Sequence, residues 1–291
     1  MTEEIKTISI NNKDYPTLLK KISNAPKVIY VRGKLLPSEK CFAVVGTRLP
    51  SAYGKEVAEN LSRDLANSGL TIVSGLAPGI DTIAHKTVLE ENQRTIAVLG
   101  TGLEEESIYP ADNIGLARKI VEKGGCLISE YPAGTRGTQF TFPQRNRIIS
   151  GLSLGVLIIE AKEKSGALIT AGWAKKQQRK VFAIPGSIYS SNSKGTHLLI
   201  KHGAKLTENA NDILEELNLD FPAKFKETFA GNENKEEMAI LTALQEQALY
   251  IDKIIEKTKL PASTIASTLA ILEIKGRVKN LGGNIYAISH R

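Results

Sequence analysis

The chain has little of what most enzyme centres are built from. Its 291 residues include two cysteines, four histidines, one tryptophan and 5% aromatic residues. Cys41 and Cys126 sit in separate apolar segments with no Cys or His at ligand spacing. That excludes a disulfide framework and a zinc site and predicts two buried thiols and no bound metal. No apolar run approaches the ~20 residues of a membrane span. Met1 to Lys13 is polar and lacks the apolar core of a signal peptide, so a cytoplasmic protein without a membrane partner is expected. Gly54-Lys55 is followed by Glu56 and has no glycine five residues before it, which excludes a phosphate-binding P-loop. Gly100-Thr101-Gly102 is followed by Glu105 where a dinucleotide fingerprint needs its third glycine, so no cofactor is expected. There is no nucleophile elbow. His85 could serve as a base, but one turn into a helix after Asp81 it reads as a packing histidine. No catalytic residues are assigned.

Other features are plentiful. Net charge is +7, 42% of residues are hydrophobic and 24% are charged. The positive balance is compatible with a polyanionic partner. Six short apolar runs, Cys41–Val45, Thr71–Ser74, Thr95–Leu99, Cys126–Ser129, Val156–Glu160 and Val181–Ile184, lack inside–outside alternation. Such runs mark central strands of a parallel sheet covered on both faces. Helical patterns alternate with them at Tyr53–Ser68, Ile80–Glu91, Ile114–Lys123, Gln144–Leu152 and Ala167–Gln178. The fold class is therefore α/β, a doubly wound, mostly parallel, Rossmann-like sheet.

Each predicted strand is followed by glycine with Ser, Thr or Arg. The set includes Gly46-Thr47-Arg48, Gly75-Leu76-Ala77, Gly100-Thr101-Gly102, Gly134-Thr135-Arg136-Gly137, Ser165-Gly166 and Pro185-Gly186-Ser187. Ligands of such sheets bind at the carboxyl ends of the strands, where small residues and helix N-termini admit phosphate. Turns between strands and helices need glycine anyway, which explains one or two of these edges better than six. Arg145-Asn146-Arg147 adds two guanidiniums whose planar forks match phosphate oxygens. Either could instead pair with Glu130 or Glu160 at neighbouring strand ends. Phe140 lies in a Gly/Thr-rich loop and suits base stacking; Phe142, beside Pro143, suits core packing. Arg48 has the fewest structural alternatives and is the expected lead phosphate contact.

Four segments are expected: a lead-in over 1–40, the sheet domain over 41–219, a linker over 220–235 and a small unit over 236–291. In the small unit, Glu236–Gln245 reads as a helix, Asp252 caps a second and Ser263 caps a third that runs to Lys275 and stops at Gly276. Arg277–Leu281 and Asn284–Ile288 then form a hairpin about Gly282-Gly283. Three helices and a hairpin make a winged helix. Residues 233–291 hold eight Lys/Arg against seven Asp/Glu, leaving +6 of the +7 elsewhere. The third helix is weakly basic, so the sheet domain is the expected principal nucleic-acid binder.

Several segments together resemble the DprA/Smf family of DNA-processing proteins. They are Val44-Val45-Gly46-Thr47-Arg48, Ser74 to Asp81 with Ala84-His85, Ala97 to Gly102 with Tyr109-Pro110, Ser129-Glu130-Tyr131-Pro132, Phe142-Pro143 to Ser150-Gly151, Glu160-Ala161, Ser165-Gly166 to Thr170-Ala171, and Ala183 to Gly186. Order and spacing agree from about Tyr15 to Leu217. The resemblance implies a non-enzymatic homodimer that binds single-stranded DNA and loads RecA recombinase onto it in natural transformation and recombination. Its DNA pocket would fall on Gly46, Thr47, Arg48, the loop around Arg136 and Phe140, and Arg145, Asn146 and Arg147; with the strand-end residues Gly75, Ser165 and Gly166 these make up the expected nucleic-acid site. Dimer contacts would lie near Thr196–Leu217. Many members begin with a small helical domain; only about a dozen residues precede Asp14-Tyr15-Pro16 here, so that domain's functions do not carry over. Two other readings stay open: a nucleoside-monophosphate hydrolase, whose Pro-Gly-Gly-x-Gly-Thr run is missing, and a winged-helix transcription regulator.

Overall fold

A computed structural model describes residues 4–219, 235–245, 247–274 and 277–289. They form two compact units divided between Pro222 and Ala223. The expected linker, apart from Lys235, and the stop at Lys275-Gly276 lie outside the described residues.

The larger unit is a nine-stranded sheet with helices on both faces. In chain order its strands are β1 (Lys6–Ser9), β2 (Val28–Gly33), β3 (Cys41–Val45), β4 (Thr71–Ser74), β5 (Thr95–Leu99), β6 (Cys126–Ser129), β7 (Gly155–Ile158), β8 (Lys180–Ala183) and β9 (Lys205–Leu206). Their order across the sheet is 1-2-6-5-4-3-7-8-9. Strands β3 to β9 run parallel, and β2 joins β6 antiparallel with Tyr30 opposite Ser129. Residues 1–40, set apart in the sequence as a lead-in, thus supply two strands of this same sheet. Their strands escaped notice because β2 is only half buried on alternate residues, unlike the continuous apolar runs of the centre.

The central strands are apolar on both faces because both are covered. Cys41, Ala43 and Val45 share one core with helices α1 (Thr17–Lys20), α5 (Thr141–Leu152) and α6 (Gly166–Lys176). Phe42 and Val44 face the opposite core with α2 (Ala52–Asn67), α3 (Ile80–Glu90) and α8 (Ala210–Glu216). Helix α4 (Ile114–Glu122) closes a third cluster over Ala97, Leu99 and Leu127. Helix α7 (Lys194–Lys201) follows β8. Helix α2 shows why these residues wind as they do. Ser51 caps it by accepting from the Gly54 N–H at 3.0 Å, and Ala58, Leu61, Leu65 and Ala66 recur on its buried stripe. Both cysteines are buried and unpaired; burial pushes the Cys126 thiol up to about 12 and Cys41 well above its usual value.

Helix α5 starts three residues before its predicted Gln144. Pro143 occupies the first turn, where its missing N–H costs nothing, and the Thr138 hydroxyl accepts from the Phe140 and Thr141 N–H groups at 3.2 Å.

The smaller unit packs helices Lys235–Leu244, Ile251–Thr258 and Ala262–Ile274 around Ile240, Leu244, Ile254, Ile265, Leu269 and Leu272. Strands Val278–Asn280 and Ile285–Ile288 form the wing, joined by a short strand Leu249–Tyr250. That strand puts Tyr250 at the cap of the second helix and moves Asp252 into its first turn, where a carboxylate still favours the dipole. The third helix begins at Ala262, one residue ahead of its predicted cap Ser263. No helix among the described residues is long and apolar enough to cross a membrane.

Candidate functional site

Strand order reverses between β3 and β7. From β3 the chain winds outward through β4, β5 and β6, then returns to β7 and winds the other way. The carboxyl ends of the two strands flanking such a reversal diverge and leave a crevice. A cavity of about 550 Å³ stands there, lined by Gly46, Thr47, Arg48, Asp81, Phe142, Arg145, Asn146, Lys162, Lys164, Ser165 and Gly166 among others.

The turn after β3 is built to hold its backbone still and leave its arginine out. Thr47 donates its N–H to the Glu160 carbonyl at 2.8 Å. The buried Glu160 carboxylate accepts from the Ser51 N–H at 2.9 Å, the Ser51 hydroxyl at 2.6 Å and the Asn192 amide at 3.3 Å. Asn192 also donates to the Leu49 carbonyl at 3.2 Å, so both ends of the turn are tied. The next strand edge comes close because Gly79, at φ +82°, lies against the Thr47 and Arg48 carbonyls where no side chain would fit. Arg48 itself is exposed, and among the described residues its guanidinium makes no hydrogen bond or ion pair.

Arg145 and Arg147 are placed quite differently, and both are buried. Arg147 forks onto Glu130 with two bonds of 2.6 Å, and donates to the Asn24 carbonyl at 3.2 Å and the Gln144 carbonyl at 3.1 Å. It ties α5 to the residues after α1 and stands away from the cavity. Arg145 reaches under the sheet edge to the Gly75 carbonyl at 2.7 Å and to the Val98 carbonyl. Burial lowers its pKa to about 10, Asp81 pulls the other way, and the nearby Arg48 charge adds to the lowering. It therefore keeps its charge at neutral pH. Burial raises the Asp81 pKa and Arg145 opposes that rise. Positive potential thus accumulates at the cavity, and Asp81 offsets only part of it.

Seven of the eleven residues singled out in the sequence line this cavity: Gly46, Thr47, Arg48, Arg145, Asn146, Ser165 and Gly166. Gly75 lies beneath it, its missing side chain making room for Arg145 and Asp81. Asn146 spans the floor, accepting from the Arg145 Nε at 3.2 Å and donating to the Gly166 carbonyl at 3.2 Å. Ser165 caps α6 through the Ala167 N–H at 3.1 Å, which aims a helix N-terminus at the cavity. Arg136 and the 73% exposed Phe140 lie in the loop before α5, outside the lining. Phe142 packs against Tyr109 with ring centroids 5.5 Å apart. Two cations escaped the sequence reading. Lys162 and Lys164 are exposed on the loop after β7 and line the cavity. Their place directly after a strand-end Glu160-Ala161 was the available signal.

His85 is buried, as a packing histidine should be. The Thr95 hydroxyl lies 2.7 Å from its Nδ1 and donates its only proton to the Ile72 carbonyl, so Nδ1 carries the imidazole proton. Nε2 has no partner, and burial, with the Arg145 charge, lowers the pKa to about 3.

These features define a Rossmann-like α/β protein with an open cationic cavity at its topological switch point, followed by a winged-helix unit. The chain belongs to the DNA recombination-mediator protein A family, whose profile matches residues 6–218, and a DprA winged helix domain matches residues 230–284. DNA processing protein DprA of Bacillus subtilis is 45% identical over 73% of this chain and 71% of its own length. Protein Smf of Escherichia coli is 37% identical over 95% of this chain and 75% of its own. Among solved structures, DprA of Streptococcus pneumoniae superposes with a TM-score of 0.68 at 42% identity, covering 76% of each chain. A Helicobacter pylori structure, described for its single-stranded DNA binding mode, superposes with a TM-score of 0.65 at 30% identity, covering 76% of this chain and all of that one.

Proposed function

We propose that this chain binds single-stranded DNA across the carboxyl edge of its sheet at the β3–β7 switch point. One observation carries the reading: Arg48 projects without a partner from a turn braced by Glu160, into a cavity also lined by Lys162, Lys164 and the N-terminus of α6. An anionic backbone relieves the repulsion between Arg48 and Arg145 and accepts from groups already in position. Gly46 and Thr47 bring backbone close to the strand, Asn146, Ser165 and Gly166 form the facing wall, and Arg136 and Phe140 extend the contact along the loop before α5. Arg145 acts by charge through the cavity floor; Arg147 supports the fold. The similarity to a Helicobacter pylori protein described for single-stranded DNA binding supports the same ligand here.

The chain acts as a homodimeric mediator that loads RecA recombinase onto the bound strand, in the cytoplasm and without catalysis of its own. Residues 41–219 bind the strand, 220–235 link, and 236–291 form an accessory unit. The test titrates labelled single-stranded and duplex oligonucleotides at two salt concentrations, with and without RecA. The reading requires preference for the single strand, loss of affinity in Arg48→Ala, and faster RecA nucleation when the chain is present. Equal affinity and salt slope in a folded Arg48→Ala variant would sink the site; unchanged RecA nucleation would sink the loading role.

A further inference from the structure

Beyond the Glu160–Asn192 brace lies a second cavity of about 610 Å³, past the end of β8. Its lining includes Ser51, Tyr53, Ser187 and Ser190, and holds no lysine or arginine. Ser187 and Ser190 are the two feet of a turn closed by the Ser190 N–H on the Ser187 carbonyl at 3.0 Å. The tip of that turn carries Ile188 and Tyr189, 73% and 92% exposed. Tyr53 stands on the other lip, half exposed, its hydroxyl donating to the Pro185 carbonyl at 2.8 Å. Two aromatic rings are thus bared beside this cavity, Tyr189 the more exposed of them.

The charges around this cavity are opposite to those around Arg48. Glu160 lines it, and after burial the charges of Glu160 and Glu208 are what hold the Tyr53 hydroxyl up. A phosphate is disfavoured there. A nucleobase is not, since its faces are apolar and its edges suit serine hydroxyls. Glu160 lines the second cavity and its carbonyl accepts from the N–H of Thr47, which lines the first. The turn after β3 passes from Leu49 in the first lining to Ser51 in the second, so a strand that extends beyond Arg48 along this turn meets the second cavity.

We propose that the Tyr53–Tyr189 lip is a second subsite, at which bases of the strand bound at Arg48 stack while their phosphates face solvent. The inference rests on the strand-binding reading above. Stacking contributes ~1–3 kcal/mol per base and releases no counterions, so this subsite adds affinity that salt does not weaken.

The test compares the unaltered full chain with Tyr189→Ala and Tyr189→Phe. Each is titrated with oligothymidylates of about four and about sixteen nucleotides, the span of known single-strand site sizes, at two salt concentrations. Tyr189→Ala should bind the long oligonucleotide about 5- to 140-fold more weakly, ~1–3 kcal/mol at ~1.4 kcal/mol per tenfold. Its affinity for the short one and its salt slope should not change, and Tyr189→Phe should restore most of the loss. Tyr189 is almost wholly exposed, so its replacement leaves the core untouched. Unchanged affinity for the long oligonucleotide overturns the proposal. So does a loss with a flatter salt slope, which would mark a phosphate contact, or a loss with altered oligomeric state in light scattering, which would mark a protein contact. If the unaltered chain binds neither oligonucleotide, the strand-binding reading itself fails.

Discussion

The start of α5 and the turn after β3 border the same cavity and treat their arginines in opposite ways. At α5 the helix buries both guanidiniums and satisfies them from inside, Arg147 on Glu130 and Arg145 on the carbonyls of Gly75 and Val98. At β3 a buried carboxylate accepts from the Ser51 hydroxyl and N–H and the Asn192 amide, and the arginine beside it is left out. Glu130 neutralises an arginine; Glu160 shapes a loop. A cation's availability to a ligand therefore depends on where the nearest carboxylate spends its bonds.

The strongest way to break this comparison is Arg147→Ala. Removing one partner of a buried, bidentate pair strands the Glu130 charge and costs about 3–5 kcal/mol. Urea unfolding followed by the fluorescence of the single Trp173 should show a loss of that size. The fraction that remains folded should bind single strands as before. Full stability with lost affinity would reverse the roles assigned to the two regions.

Acid probes the interior side in a second way. The folded-state pKa of His85 is about 3 against an ordinary 6.5, so below 6.5 the unfolded chain takes up a proton that the folded chain refuses. Stability from this residue is complete above pH 6.5 and falls as pH drops toward 3, at up to ~1.4 kcal/mol per pH unit. His85→Leu keeps the Thr95 hydroxyl on the Ile72 carbonyl and removes the titration. Its stability should fall less steeply than that of the unaltered chain between pH 6.5 and 3. Parallel curves would show that the buried imidazole is not what titrates.

How much of this was legible in the sequence follows the same division. The central strands were legible to within two residues, because burial on both faces forces unbroken apolar runs. Strand β2 was not, since a half-buried strand near the sheet edge carries a weaker pattern. The cavity position followed from glycine and hydroxyl residues after each strand. The state of each arginine did not, because Arg147 meets Glu130 only once β6 and α5 are brought together. Lys162 and Lys164 were overlooked for the converse reason. They flank Glu163 and read as a solvated charge run until the switch point sets them across from Arg48.

On the exposed side, Arg48→Ala should lower single-strand affinity about 10- to 150-fold, the ~1.5–3 kcal/mol of a hydrogen bond to a charged group. The slope of log affinity against log salt should flatten by ~0.7 for each phosphate that the variant no longer neutralises. Lys162→Ala and Lys164→Ala should each weaken binding less, with a similar change in slope, because a flexible ammonium is a point charge without a fork. If either lysine outweighs Arg48, the lead phosphate partner belongs to the β7 loop.

The smallest effect should come from removing residues 233–291. The two units have separate cores, so the larger one can keep its own when the smaller is gone. The small unit carries net +1, and its third helix, Ala262–Ile274, has no lysine or arginine to offer a phosphate. The exposed positions on that helix are mainly serine and alanine, with Ser263, Ala266, Ser267 and Ala270 on the solvent side. Docking a helix in a DNA groove needs side chains that reach phosphates and base edges, and these are too short. The truncated chain should therefore keep its single-strand affinity within a few-fold, with a salt slope changed by less than the ~0.7 of one neutralised phosphate. A collapse of binding in a truncation that still unfolds cooperatively would move the principal DNA surface to the small unit, and Arg48 would be an exposed arginine without the role its surroundings suggest.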